Sequence, residues 1–173
     1  PDMLGEERVN LANLDNLPNF KSLLSRFKHS TLECDVRPVH SGPSWTTIFT
    51  GLLPDEHGVR HFIVDDEQRK ELISKKPFIW DVVESKGGRA IAMCIPIAIP
   101  PLNRNYSLRG WEQVMLSTTE EEMISSTKKL TDDLIGAIEY GDADLIAVVF
   151  SEPDRAQHMF WHEPEKLLRH YES

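Results

Sequence analysis

The spacing of apolar residues alternates along the chain between helical and strand patterns. The first helical pattern consists of five apolar residues: Leu17, Phe20, Leu23, Leu24 and Phe27. Pro18 suits the first turn of this helix, because a first turn leaves its N–H groups without helical partners, and Asn16 lies where a cap is expected. Apolar and acidic residues then alternate over Thr31–Val36, which predicts a half-buried strand.

Two later stretches are apolar without interruption, namely Ala90–Ile95 and Leu145–Phe150. Unbroken runs of this length are typical of strands that are covered on both faces of a parallel sheet. A helix is predicted before the first run, from Pro77 through Lys86 to the stop at Gly87–Gly88, and a short helix after the second run, beginning at Pro153.

A long helix is predicted between the two runs. It begins at a capping box formed by Thr118 and Glu121 and ends near Gly141. Its apolar stripe consists of Met123, Leu130, Leu134 and Ile138. Because helices alternate with strands, we predict an α/β fold with a mostly parallel sheet and helices on both faces.

Composition and charge narrow the classes of function. The chain has 173 residues, which fits one domain, and its formal net charge of −9 argues against nucleic-acid binding through a basic patch. Two cysteines are too few for a disulfide scaffold. The longest apolar stretch, Ala90–Leu102, contains three prolines and is too short to span a membrane. Because the first residues lack a signal-peptide pattern, we expect a cytoplasmic protein.

Two segments that follow predicted strands carry side chains suited to chemistry. Residues 38–51 follow the strand at Thr31–Val36 and contain five hydroxyl residues: Ser41, Ser44, Thr46, Thr47 and Thr50. A hydroxyl at a helix start is a candidate nucleophile, although a segment this rich in Ser and Thr is also typical of a capped turn. In open α/β sheets, ligands bind beyond the carboxyl ends of strands.

The second segment contains Asp154 and His158, four residues apart. On a helix beginning at Pro153 the two side chains share one face. Oxygen and nitrogen ligands at this spacing suit Zn²⁺ or a similar ion. The alternative is a surface helix with a capping aspartate and an incidental histidine.

Together the two segments resemble a known family. Residues 41–58 resemble the nucleophile region of the alkaline phosphatase superfamily, and they read SGPSWTTIFTGLLPDEHG. The resemblance is closest to the type I phosphodiesterase and nucleotide pyrophosphatase branch, which has Thr or Ser, any residue, Pro, then Thr-Gly, Pro and His-Gly. Residues 152–158, which read EPDRAQH, resemble the downstream metal motif of that branch.

This resemblance implies a metal-dependent phosphohydrolase that acts on small phosphate esters. Ser41 would be the nucleophile and would also bridge to one metal ion, and Asp154 and His158 would bind the other. The ions would be two Zn²⁺, with Mn²⁺ as the alternative. Ser44 stands where some relatives carry an Asn that supports a phosphoryl oxygen.

The resemblance also implies that parts of the family's domain lie outside this sequence. The family begins with a strand ending in Asp-Gly and later provides an Asp-His-Gly and a further His, and neither pattern is found in residues 1–173. We therefore expect a single partial domain with an alkaline-phosphatase-like core truncated at both ends and an incomplete metal site. This fragment by itself is expected to bind metal weakly and to be inactive or nearly so. The oligomeric state stays open.

Other interpretations of the same residues remain. Sulfatases share this fold, but they place Arg where this chain has Trp45. A non-catalytic member that binds a phosphorylated ligand or a partner is the alternative outside enzymes. We expect His57 to bond backbone in a turn rather than to react. His40 and Ser41 are neighbours in an extended segment, so their side chains should point apart.

Overall fold

Two strands and the helices around them form the described part of the chain. The structure is a computed structural model, and it describes residues 17–30, 36–61, 76–96 and 119–172. In chain order the elements are α1 (Pro18–Arg26), α2 (Ser41–Thr50), α3 (Pro54–His57), α4 (Ile79–Ser85), β1 (Ala90–Met93), α5 (Glu120–Tyr140), β2 (Leu145–Val148), α6 (Glu152–Phe160) and α7 (Pro164–Glu172). The predicted strand at Thr31–Val36 lies outside the described residues, apart from Val36.

The two strands pair in parallel, as the apolar runs predict. The register joins Ala90 to Leu145 and Met93 to Val148. Parallel neighbours require a crossover connection, and α5 lies in that connection. β1 is shorter than the predicted run because Cys94 adopts a positive φ of 54°, which takes the backbone out of the extended conformation.

β1 is buried on both of its faces. Ala90 and Ala92 face one apolar cluster that contains Phe78 and Trp80, beside and within α4. Ile91 and Met93 face a second cluster that contains Leu130 of α5. The prediction that this strand is covered on both faces is confirmed, whereas β2 is only half-buried along its length. The described residues therefore form a helix-rich α/β arrangement around a small parallel sheet.

The predicted early helices are present with shifted ends. α1 begins at Pro18 as expected, but Leu17 occupies its N-cap and its apolar side chains stay largely exposed, with Phe20 47% exposed and Leu23 51% exposed. α4 lies inside the predicted range, where the Asp81 carboxylate accepts a hydrogen bond from the Phe78 N–H at 2.9 Å.

The predicted capping box of the long helix is wrong by one residue. Thr119 caps α5, since its Oγ1 accepts from the Glu122 N–H at 3.2 Å and the Glu122 carboxylate accepts from the Thr119 N–H at 3.1 Å. The sequence repeats both residue types, so the spacing alone does not choose between the two pairs. The helix ends at Gly141 with φ 70°, as predicted.

The predicted stripe of α5 is correct at Met123 and Leu130, which are buried, and wrong at Ile138, which is 58% exposed. Ile138 lies eight residues after Leu130 and is therefore rotated by about 80° around the helix from it. Ala137 packs in its place against the core.

Among the described helices, none is both long and apolar enough to cross a membrane.

The N-cap of α5 gives a stability prediction. Thr119→Ala removes the hydroxyl that accepts from Glu122 and should lower the free energy of unfolding by about 1 kcal/mol. Urea denaturation measures this loss. Ser125→Ala, at an exposed interior position of the same helix, is the matched control and should be neutral or slightly stabilising. Equal losses in the two variants would contradict the assigned cap.

Candidate active site

Helix α2 carries the first candidate residues at its start. Ser41 is its first residue and follows His40, which is extended with φ −154° and ψ 146°. The Nδ1 of His40 accepts a hydrogen bond from the Gly42 N–H at 3.4 Å, so this imidazole caps the helix. The Gly42 N–H is therefore engaged, and Pro43 has no N–H to donate. The start of α2 thus offers an anion fewer backbone donors than an ordinary helix start does.

The structure distinguishes among the five hydroxyls of this segment. Thr46 donates to the Gly42 carbonyl at 2.8 Å and Thr50 donates to the Thr46 carbonyl at 2.6 Å. Thr47 is bonded to His57 at 3.1 Å. In the described part of the chain, the hydroxyls of Ser41 and Ser44 have no hydrogen-bonding partner, and Ser41 is exposed. These two are therefore the hydroxyls that are available to a ligand.

His57 has the structural role that its place in the sequence predicts. It is 5% exposed, and its Nδ1 accepts from the Val59 N–H at 3.0 Å. The ring proton therefore lies on Nε2, which donates to Thr47 Oγ1. Burial lowers the pKa of His57 below its ordinary value, and the Pro43 carbonyl and the Glu56 carboxylate oppose that shift. The residue acts as a neutral link between two elements.

Helix α6 carries the second pair of candidates directly after β2. Asp154 and His158 share one face, as predicted, with 3.8 Å between Asp154 Oδ2 and His158 Nε2. Both side chains are exposed, at 70% and 62% respectively. Two ligand atoms on one tetrahedral Zn²⁺ lie about 3.3 Å apart, given bonds of about 2.0–2.1 Å. A small side-chain rotation therefore suffices for both groups to bind one ion.

The opposite face of α6 is buried and holds the helix in place. Ala156 and Gln157 are buried, and Gln157 bonds to the Tyr171 hydroxyl on α7. Glu152 is 3% exposed and pairs with Arg155 at 3.0 Å. The exposed pair thus projects from a helix with an anchored inner face.

The candidates lie on two separate helices, α2 and α6. Asp154 and His158 lie beyond the carboxyl end of β2, whereas Ser41 and Ser44 follow the segment at residues 31–35 that lies outside the described residues. No hydrogen bond or ion pair among the described residues joins the two pairs. The same residues contain no group of three or more His, Cys, Asp and Glu side chains that could hold a metal ion. The pair on α6 provides two ligands, and protein-bound Zn²⁺ ordinarily takes three or four.

The sequence did not indicate several contacts that support these residues. These contacts depend on tertiary packing or on where a helix begins. They are the bond between His57 and Thr47, the cap formed by His40, and the bond between Gln157 and Tyr171. The clearest signal available in the sequence is Gly58, whose positive φ of 78° allows the turn in which His57 bonds backbone.

A comparison with known protein families identifies one match. The family model of type I phosphodiesterase / nucleotide pyrophosphatase matches residues 8–172. The chain therefore belongs to this family, which is part of the alkaline phosphatase superfamily. The family indicates phosphodiesterase or nucleotide pyrophosphatase activity. No curated protein and no solved structure matches the chain.

The buried imidazole of His57 gives a pH prediction. Its pKa is lowered in the folded chain, so as pH falls below about 6.5 the unfolded chain takes up this proton first. The free energy of unfolding should therefore decrease from pH 7.5 to pH 5.5. His57→Asn, whose amide oxygen can still accept from Val59, should show a weaker decrease over this range.

Chemical denaturation at several pH values measures this dependence. His170, whose pKa burial also lowers, adds a decrease of the same sign in both proteins. Burial raises the pKa values of Asp81 and Glu84, which contribute the opposite sign at lower pH, again in both proteins. His29→Asn makes the same replacement at an exposed position and serves as the control. The prediction fails if wild type and His57→Asn have the same pH dependence.

Proposed function

We propose that the natural protein is a metal-dependent phosphodiesterase with an alkaline-phosphatase-like core and Ser41 as its nucleophile. One observation carries this proposal. Ser41 is an exposed hydroxyl at the first position of a helix, without a hydrogen-bonding partner among the described residues, in a chain of the phosphodiesterase family. The three threonine hydroxyls of α2 are engaged in structural bonds, and within the described residues the Ser44 hydroxyl is not.

The proposed reaction is an in-line displacement at phosphorus. Ser41 Oγ forms a bond to phosphorus and loses its proton, while the bond to the ester oxygen breaks and that oxygen leaves as an alcohol after taking up a proton. The intermediate is a serine-linked phosphodiester that keeps the second ester group, and water then attacks its phosphorus, releases a phosphomonoester and restores the Ser41 hydroxyl. The positive end of the α2 macrodipole favours the negative charge of the phosphoryl group at this position.

Ser44 is proposed to bind the substrate. It lies three residues after Ser41, and residues at this spacing lie on the same face of a helix. Its hydroxyl is half-buried and has no partner in the described chain. These observations support its proposed role, in which the hydroxyl donates a hydrogen bond to a phosphoryl oxygen of an ester attacked by Ser41.

Asp154 and His158 are proposed as ligands of one divalent ion, with Ser41 bridging to a second. The supporting observations are the 3.8 Å separation of the carboxylate oxygen and the ring nitrogen and the exposure of both groups. Zn²⁺ or Mn²⁺, when bound, lowers the pKa of a nucleophilic hydroxyl and offsets negative charge on the attacking and leaving oxygens. The chain's own contribution is the anchored helix that presents the two ligands on one face.

Substitution of Ser41 tests the nucleophile. The natural full-length protein, supplied with Zn²⁺ or Mn²⁺, should hydrolyse a chromogenic phosphodiester, and Ser41→Ala should abolish this activity because no oxygen remains to attack phosphorus. Ser41→Thr should retain part of the rate, since the branch uses Thr or Ser at this position. Initial rates on a phosphodiester, a phosphomonoester and a sulfate ester are the measurement.

Ser125→Ala, an exposed serine on α5, is the control for the substitution itself and should leave the rate at the wild-type level. A phosphodiesterase rate that survives Ser41→Ala contradicts the proposed nucleophile. Hydrolysis of the sulfate ester alone assigns the protein to the sulfatase reaction instead. No turnover of any ester by a metal-loaded protein favours the ligand-binding interpretation.

Substitution of His158 tests the metal ligands. His158→Ala and Asp154→Asn should each weaken metal binding by more than about tenfold, because loss of a residue that merely supports a ligand already costs that much. Metal content after dialysis against buffers of set free Zn²⁺ gives the affinity without reference to activity. His162→Ala removes an exposed histidine just after α6 and is the matched control. Wild-type affinity in His158→Ala would overturn this assignment.

A further inference from the structure

A buried link joins α2 to the turn that follows it. The His57 ring accepts from the Val59 N–H at 3.0 Å and bonds to Thr47 Oγ1, in the middle of α2, at 3.1 Å. His57 therefore connects the second turn of α2 to α3 and to the backbone at Val59.

The chain between the two elements is shaped to make this link. Gly51 ends α2 with φ 70°, and Gly58 ends α3 with φ 78°. Both conformations are strained for residues with a Cβ. The Leu53 N–H donates to the Glu56 carboxylate at 2.9 Å, which fixes the start of α3. These turns reverse the direction of the chain, so that the side chain of His57 contacts α2.

An aromatic contact of a different kind also holds α2. Phe49 packs against Trp80 of α4 with 5.1 Å between ring centroids, and within α2 itself it stacks on Trp45 at 5.9 Å. Apolar contacts of this type hold the helix against the core but are largely non-directional. A hydrogen bond to a buried ring requires a defined distance and angle. The bond to Thr47 therefore limits the tilt and rotation that the aromatic contacts allow.

We propose that His57 and Thr47 form a positioning clamp that sets the orientation of α2 and thereby places Ser41 Oγ for attack. This proposal rests on the proposed function, in which Ser41 is the nucleophile. Neither residue of the clamp contacts the reacting atoms. Both act through the helix, so they are positioning residues.

The geometry of a helix makes this clamp effective. Thr47 lies six residues after Ser41, which corresponds to about 9 Å along the axis. Over that distance a tilt of about 6° about Thr47 moves Ser41 by about 1 Å, since a helix rises 1.5 Å per residue. A misplacement of that size can lower a rate by about 100-fold. Loss of the clamp should therefore reduce kcat even though the hydroxyl of Ser41 remains.

The test compares isosteric and conservative variants of the natural full-length, metal-loaded protein. Thr47→Val keeps the shape of the side chain and removes its oxygen, and should lower kcat for a chromogenic phosphodiester by at least about tenfold, with KM changed by less than about twofold. Thr47→Ser keeps the oxygen and should retain most of the wild-type kcat. Thr131→Val is the matched control, because Thr131 is also half-buried and hydrogen-bonded but lies on α5.

A second pair of variants tests the partner. His57→Gln can still donate from the position of Nε2 and should lose less kcat than His57→Ala. Combining Thr47→Val with His57→Ala should cost less than the product of the two separate losses, because both remove the same bond. The ¹⁵N shifts of the His57 ring should report a proton on Nε2 in the wild type, and the Nε2 shift should change in Thr47→Val. This second measurement is independent of activity.

The possible outcomes distinguish failure of the proposed clamp from failure of the proposed nucleophile. If Ser41→Ala is inactive but Thr47→Val keeps the wild-type kcat, the nucleophile stands and the clamp is wrong. If Thr131→Val loses as much kcat as Thr47→Val, the effect is general destabilisation and the clamp is again wrong. If Ser41→Ala stays active, the proposed function fails whatever the clamp variants do. A loss expressed in KM alone also overturns the clamp, because substrate binding rather than alignment is then affected.

Discussion

β1 is buried on both of its faces, and the other described elements are arranged around that burial. Successive side chains of a strand point to opposite faces, so Ala90 and Ala92 enter one cluster while Ile91 and Met93 enter the other. Each cluster needs a helical layer to cover it. Complete burial of a side chain such as Met93 stabilises the fold by about 2 kcal/mol. β2 joins the same two clusters and pairs with β1 in parallel, which requires a crossover that contains α5.

The candidate site is built on this frame from exposed groups held by buried neighbours. Asp154 and His158 project from α6, whose inner face is fixed by Ala156 and by the bond between Gln157 and Tyr171. Ser41 projects from α2, whose inner side is fixed by Thr46 and by the link to His57. Groups that bind a ligand must be accessible to it, whereas groups that hold a helix in position must be packed. In both α2 and α6 the accessible groups lie on the outer face and the packed groups lie on the inner face.

Much of the local structure could be predicted from the sequence, because its signals are short in range. Proline near helix starts, glycine at helix ends and the unbroken apolar runs depend on a few neighbouring residues, and they indicated α4, α5, α6 and both strands. The four-residue spacing of Asp154 and His158 is likewise a property of one helix, and the structure brings their side chains to 3.8 Å. The resemblance seen in the sequence also predicted the family, and the family model that matches residues 8–172 confirms it.

Where the local sequence signals allow two or more equivalent residues, the tertiary structure decided which of them is used. Thr118 and Thr119 offer equivalent capping spacings, and the fold uses the second, in a helix whose Met123 and Leu130 are buried. The sequence pattern does not distinguish among the five hydroxyls along α2. In the fold the three threonines bond to carbonyls or to His57, which leaves Ser41 and Ser44 available. Exposure of Ile138 and of the apolar face of α1 also depends on what packs nearby. The sequence by itself determined which elements form and which residue types accompany them, because those choices are made by neighbours along the chain. Only the fold decided which side chains are buried, bonded or available, because those states depend on residues that are distant in sequence.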